Sequence, residues 1–369
     1  MNPWCRRPAC THRGSWPQGR SKWIGTLRSF LPSFPRHCPG RGGCGPRVVQ
    51  RTVAPARPRP DTGRVQETAN RLVDALLASY TQVGGINHLD GKNLPSQRVI
   101  AALTSDLLRL LFPGFFDEHV LPSSAIRETT TQRVESVVPR LEGELYKSLE
   151  YAPPASTRRA ELPALARELT MHFVEALPAV RELLQTDVQA AYGGDPAALS
   201  QDEVIVAYPF VEAIAVQRMA HQLYLRKVAL IPRIMTEWAH RRTGLDLHPG
   251  AEIGSHFFVD HCTGTVVGET TQIGSHVRLY QGVGLVARSL SGGQALRGQK
   301  RHPTIHDRVT IYAGATIMGG DTVVGAGSTV GANVFLTHSV PANSLVLAEE
   351  VRVKVLSKTE RAGAFDYQI

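Results

Sequence analysis

Asp260 and His261 stand side by side in VDHCTGTVVGET (259–270), inside a run of β-branched residues and glycines. An imidazole titrates near neutrality and can take a proton from a hydroxyl. His261 is therefore a candidate general base. Two plainer readings compete: a buried structural histidine, and a polar group that only hydrogen-bonds its own turn. His256 precedes His261 by five residues, a gap that could serve zinc, although no third ligand stands out elsewhere. His276, His306 and His338 read as surface or edge residues, as does His256 outside a metal role.

The element that must hold this pair repeats every six residues. Aliphatic side chains fall at Leu247, Ile253 and Val259, then at Val267, Ile273, Leu279 and Leu285. The series continues at Ile305, Ile311 and Ile317, and at Val324, Val330 and Leu336, with small or polar residues usually following. That spacing fits neither an amphipathic helix nor a hairpin meander; it is the hexapeptide signature of a parallel β-helix. Each short strand sends one aliphatic side chain into a triangular coil, three hexads close a turn, and stacked coils satisfy one another's backbone. Two breaks interrupt the period. One is an insertion at about 288–302, SLSGGQALRGQKRHP with its flanks, expected to loop outward. The other is a slip of two residues between Val259 and Val267, so the Asp260–His261 pair sits where the repeat bends its own rule.

Ahead of the repeat the pattern is helical. Leu72 and Leu76 lie four apart, Ile100, Leu103, Leu107 and Leu110 form a 3-4-3 stripe, and Leu162, Leu165, Leu169, Phe173 and Leu177 mark one face, with Pro178 expected to kink or end it. Helical segments are predicted at roughly 123–150, 162–191 and 202–242, punctuated by NLPSQ, YAPPAS and YGGDPAALS. The predicted class is α+β, an α-helical domain followed by a left-handed parallel β-helix. Its parts are a basic extension (1–63), the helical domain (64–244), the β-helix (245–345, with loop 287–303) and a tail (346–369).

Composition narrows the function. The formal charge is +9, but residues 1–60 hold twelve of the 41 Lys/Arg and none of the 32 Asp/Glu, leaving 29 against 32 for the body. Basicity therefore argues for no nucleic-acid surface on the body. The first 60 residues also carry ten of the 24 prolines and four of the five cysteines, a composition that resists folding. They read as a disordered extension; a targeting peptide or a zinc or nucleic-acid role are the alternatives, the Cys5/Cys10 and Cys38/Cys44 gaps being a poor match to a zinc knuckle. No run of 18 apolar residues predicts a membrane span, and the single body cysteine, Cys262, fits a reducing, cytoplasmic setting.

Taken together, DPAALS with YPFVEAIAVQRMAHQLY, GLDLHPGAEIG, VDHCTGTVVGET, KRHPTI and IYAGATIMGGDTVVGAGSTVGANVF resemble the serine O-acetyltransferases over about residues 64–369. The resemblance implies acetyl transfer from acetyl-CoA to the hydroxyl of L-serine, in a ternary complex and without an acyl-enzyme. It implies His261 as the base and Asp246 as its orienting carboxylate. Asp195 and Asp260 would meet the serine ammonium, and Arg301 with His302 its carboxylate or the reacting centre. The acetyl-CoA arm would lie along the coil near Leu285, Ala313 and Gly331. No metal is expected. A homotrimer or dimer of trimers is implied, with His261 and His302 meeting across chains, and Ile369 at the C terminus is implied to dock on O-acetylserine sulfhydrylase. The chain departs from the family pattern at Cys262, where a small residue such as Ala is usual, and at Val286–Ala287, where Gly-Gly is common. Cys262 reads as a small buried side chain, with oxidation beside the base as the alternative. Rival readings are a zinc-dependent β-helix hydratase of the carbonic anhydrase type, a non-enzymatic scaffold that binds the sulfhydrylase, and a different acceptor such as a sugar or homoserine.

Overall fold

One inward aliphatic residue per hexad is what the chain builds. The computed structural model describes residues 62–289 and 291–349. The first coil comprises β1 (Asp246–Leu247), β2 (Glu252–Ile253) and β3 (Phe258–Val259); the second β4 (Val266–Val267), β5 (Gln272–Ile273) and β6 (Arg278–Leu279). The third comprises β7 (Gly284–Val286), β8 (Thr304–Ile305) and β9 (Thr310–Ile311), the fourth β10 (Thr316–Met318), β11 (Val323–Val324) and β12 (Thr329–Val330). A fifth begins with β13 (Phe335–Leu336), passes through a bridge from Val340 to Val324, and reaches β14 (Leu345–Val346). Corresponding strands stack in parallel into three sheets, β1-β4-β7-β10-β13, β2-β5-β8-β11 and β3-β6-β9-β12-β14, the faces of a left-handed β-helix.

Register confirms the period residue by residue. Leu247, Val267, Leu285, Ile317 and Leu336 form one in-register column, and Val259, Leu279, Ile311 and Val330 another, all buried. Since no single coil can bury its aliphatic residue alone, the columns hold the coils together. The insertion between β7 and β8 leaves the coil as expected, and among its described residues Gly293–Leu296 form a 3₁₀ turn.

The helices precede the coils. α1 (Thr62–Gln82) belongs to a compact unit that ends at Gly85; its Leu72 and Leu76 are exposed. In the second unit, α2 (Gln97–Leu111) starts where the Ser96 side chain accepts the Val99 N–H at 3.4 Å, and it buries Ile100, Leu103 and Leu107. α3 (Ile126–Tyr151) and α4 (Leu162–Gly194) follow, and α4 buries Leu162, Leu169, Phe173 and Leu177 as expected, with Leu165 half-buried. Pro178 does not end α4: the helix runs on to Gly194, because Leu177 and Val180 on either side are buried and packing outweighs one missing N–H.

The segment expected as one helix over 202–242 is three: α5 (Gln201–Ala207), α6 (Pro209–Leu225) and α7 (Ile231–Thr243). Pro209 and Pro232 each stand in a first helical turn, where a missing N–H costs nothing, and the residue before Pro209 is extended. A buried ion pair fastens this bundle to the first coil. Arg218 on α6 donates to both Asp187 carboxylate oxygens on α4 (2.7 and 2.9 Å) and to the carbonyls of Ile253 (3.0 Å) and Gly254 (2.7 Å). Asp187 in turn accepts the Phe257 N–H at 3.1 Å. Among the described residues no helix is long and apolar enough to cross a membrane. The basic extension up to Asp61 and the tail from Glu350 to Ile369 lie outside the described residues.

Candidate active site

The two-residue slip is a bulge between β3 and β4 that pushes His261 outward. At the equivalent corners of later coils one residue adopts the left-handed conformation: Gly282 (φ +74°), Gly314 (+71°) and Asn333 (+57°). Here three do: Gly264 (+75°) in the equivalent place, and two consecutive non-glycine residues ahead of it, His261 (+60°) and Cys262 (+59°). The turn is closed by Cys262 N–H to the Asp260 carbonyl (2.8 Å) and Thr263 N–H to the His261 carbonyl (2.6 Å). Such non-glycine residues cost roughly 1 kcal/mol or more each, strain that persists only where the surroundings enforce it. Enforcement comes from both neighbouring rungs. Gly264 N–H bonds the Gly244 carbonyl (2.9 Å) and Gly282 N–H the Thr263 carbonyl (3.0 Å). Gly244 suits its place: it caps α7 at φ +73°, where a side chain is strained, and a Cβ there would meet the Thr263 backbone at 3.3 Å.

The His261 side chain is 67% exposed, and its Nδ1 lies 3.4 Å from an Asp260 carboxylate oxygen, within ion-pair range. It is therefore not the buried structural histidine of the plainer reading. With Nδ1 turned to a carboxylate, Nε2 is left to accept a proton. Asp195, which ends α4, adds a second carboxylate. Its oxygens accept the Tyr208 hydroxyl (2.5 Å) and the Ala197 N–H (2.8 Å). Those two bonds, with the His261 ring nearby, hold its carboxyl below the usual range, and the same bond to Asp195 pushes the Tyr208 hydroxyl up to about 12. Cys262 is buried and its thiol is pushed up to about 12, by burial first and by Asp260 second, so it remains a protonated packing group.

Asp246 opens β1 one rung below the bulge, its N–H on the Thr265 carbonyl (3.0 Å). Its carboxylate does not reach the His261 ring; it lies 3.7 Å from Arg233, whose guanidinium is 2.6 Å from Glu237. The carboxylate apposed to the ring is that of Asp260.

Arg301 and His302 gather elsewhere, at the corner where the insertion returns to β8. Arg301 donates to Glu269, which also accepts the Tyr224 hydroxyl (2.7 Å). Burial raises the Glu269 carboxyl, but these two donors outweigh it and hold it below the usual range. His302 Nδ1 accepts the Thr270 N–H (3.1 Å) and lies 2.9 Å from the Thr270 hydroxyl, so the ring proton belongs on Nε2. Burial, helped by Arg301, lowers His302 to about 4; burial and Arg233 do the same to His248, whose ring meets Tyr224 edge-on at 5.8 Å. Both imidazoles are thus neutral at pH 7. Gly268 admits the His302 ring, since a Cβ there would fall 2.0 Å from its Cδ2. Within one chain, no hydrogen bond or ion pair among the described residues joins this cluster to the His261 cluster.

Of the residues expected along the acetyl-CoA arm, Ala313 and Gly331 are half-buried, on successive rungs above the bulge. Leu285 is different: its side chain is wholly buried in the central column, so no side-chain contact with an arm is open to it. The zinc reading lacks its geometry. His256 occupies the preceding corner and stacks on His276 at 4.1 Å, away from the bulge. Among the described residues the grouping close enough for a metal is Glu237, His240 and Asp246, with the Arg233 guanidinium already beside its carboxylates. Sequence reasoning did not single out Tyr208, Tyr224 or Glu269, although all three lie within the quoted motifs.

No family model matches the chain. Among curated relatives, a plasmid-encoded serine acetyltransferase of Synechococcus elongatus is 43% identical over 267 residues, covering 70% of this chain and 83% of its own. A serine acetyltransferase of Mycobacterium tuberculosis is 40% identical over 186 residues, 50% of this chain and 78% of its own. Among solved structures, serine acetyltransferase isoform 3 of Entamoeba histolytica in complex with cysteine superposes with a TM-score of 0.60 at 31% identity, covering 78% of this chain and 94% of that one. Serine acetyltransferase 1 of the same organism, in complex with L-cysteine, gives 0.59 at 35% identity over 67% and 86% of the two chains. With the parallel β-helix in place and a relative 43% identical over 83% of its own length, the chain belongs to the serine acetyltransferase family.

Proposed function

We propose that the chain transfers the acetyl group of acetyl-CoA to the hydroxyl of L-serine, giving O-acetyl-L-serine and CoA, with His261 as general base. The observation that carries the assignment is the strained bulge that presents an exposed imidazole with its Nδ1 on Asp260. His261 Nε2 takes the hydroxyl proton as the serine oxygen attacks the thioester carbonyl. Collapse of the tetrahedral adduct breaks the C–S bond, and the imidazolium returns the proton to the departing thiolate. Asp260 stabilises the imidazolium in between. Asp195 and Asp260 supply negative charge for the substrate ammonium.

Arg301, aligned by Glu269, suits a carboxylate because its planar fork donates two parallel bonds, and His302 adds a neutral Nε2–H donor. The two clusters occupy different corners of the coil, which supports a trimer in which Arg301 and His302 of one chain face His261 of the next. Ala313 and Gly331 would flank the acetyl-CoA arm. Docking of Ile369 on O-acetylserine sulfhydrylase rests on the resemblance, and loss of co-elution on deleting Ile369 tests it. The assignment itself is tested by thiol release from acetyl-CoA across an acceptor panel. Release dependent on L-serine, and weak with homoserine or sugars, is expected; release with L-serine no faster than without acceptor overturns it.

A further inference from the structure

Among the described residues no hydrogen bond joins Tyr208 to the His261 ring, yet its hydroxyl is bound to the acceptor side of the site by a single short bond. It stands between α5 and α6 with φ −84° and ψ 121°, extended because Pro209 follows. Its N–H is fixed on the Val204 carbonyl (3.2 Å) and its own carbonyl takes the Val211 N–H (3.1 Å), so the backbone cannot drift. From this support the hydroxyl donates to one Asp195 oxygen at 2.5 Å while the Ala197 N–H occupies the other at 2.8 Å. Asp195 terminates α4 just beyond Gly193 and Gly194, and without Tyr208 only one backbone bond would orient it. The Tyr208 hydroxyl feels the negative charges of both Asp195 and Asp260, so an Asp195 released from it would turn away from the like charge.

We propose that Tyr208 is a positioning residue that sets acceptor selectivity: it holds Asp195 toward Asp260 and His261, so that two carboxylates form a clamp for the protonated α-amino group of the acceptor. This role rests on the function proposed above. The hydroxyl remains a donor throughout the working pH range, as its upward displacement by Asp195 requires.

The test is steady-state kinetics of Tyr208→Phe with L-serine and with its des-amino analogue 3-hydroxypropanoate, which has the same hydroxyl and carboxylate and lacks the ammonium. The variant should raise KM for L-serine about tenfold, the order expected for one hydrogen bond to a charged group, and leave KM for acetyl-CoA unchanged. Selectivity for L-serine over 3-hydroxypropanoate should fall by the same factor. A merely structural role would weaken both acceptors alike, and that result, or unchanged selectivity, overturns the proposal. Because selectivity is a ratio of two kcat/KM values measured on one preparation, partial unfolding of Tyr208→Phe cancels from it, and Tyr208→Phe must add no further loss of selectivity in an Asp195→Asn background. A wild-type protein that releases no thiol with L-serine overturns the reading of the site, whereas an active wild type with unchanged selectivity in the variant overturns the role of Tyr208 alone.

Discussion

Gly268→Ala is the smallest change that should separate the His302 corner from the rest of the fold. A Cβ at this position would fall 2.0 Å from His302 Cδ2 and 2.1 Å from Nε2, whereas ordinary contact begins near 3.4 Å. The ring must therefore retreat by about 1.4 Å. It cannot do so and keep Thr270, whose N–H and hydroxyl sit 3.1 and 2.9 Å from Nδ1, and the adjoining Arg301 N–H on Thr270 Oγ1 (2.9 Å) shifts with it. Displacement of a substrate-binding group by more than an ångström costs on the order of 100-fold in rate. The strain of an extra methyl in a packed corner costs roughly 1–3 kcal/mol of stability. Steady-state kinetics with urea denaturation read both quantities. We expect kcat/KM for L-serine to fall about 100-fold while the protein remains folded at 25 °C. A variant with wild-type kinetics would refute the reasoning, because it would mean that the position of His302 does not matter.

Three further outcomes follow from other parts of the molecule. Arg218→Met leaves Asp187 buried and unpaired and should cost about 3–5 kcal/mol in urea unfolding, whereas a loss under 1 kcal/mol would show that the ion pair does not fasten helices to coil. His248 and His302 are lowered from 6.5 to about 4, so between those values the unfolded chain binds protons that the folded chain does not. Their contribution is complete above pH 6.5 and lost as pH falls toward 4, roughly 2 kcal/mol each once partial exposure is allowed for; unfolding midpoints at pH 7 and 5 that coincide would contradict it. Asp260→Asn should lower kcat about 100-fold and Asp246→Asn by less, since Asp260 faces the ring and Asp246 faces Arg233; the reverse order in kcat would show that Asp246 orients the ring during turnover.

The β-helix was legible because its core obeys one local rule: each inward residue is six from the next, and the in-register columns of Leu247, Val267 and Leu285 follow from that period alone. The bulge was legible for the same reason, as a departure from a regular series. The helical half obscured its boundaries, because Pro178 inside a packed helix and Pro209 at the start of one look alike in sequence. Residues that act through distant partners left no local trace. Tyr208 meets Asp195 across 13 positions, Tyr224 meets Glu269 across 45, and Glu269 meets Arg301 across 32. The apposition of Asp260, rather than Asp246, to His261 depends on the left-handed turn at 261–262, and no spacing rule contains that turn.

The most direct test of the account is acetyl-CoA-dependent thiol release with L-serine, compared between wild type and His261→Ala, with the urea midpoint measured alongside. The His261→Ala variant should be folded and slower by about 10²–10⁴-fold. A folded His261→Ala protein that releases thiol at the wild-type rate would contradict the assignment of His261 as general base.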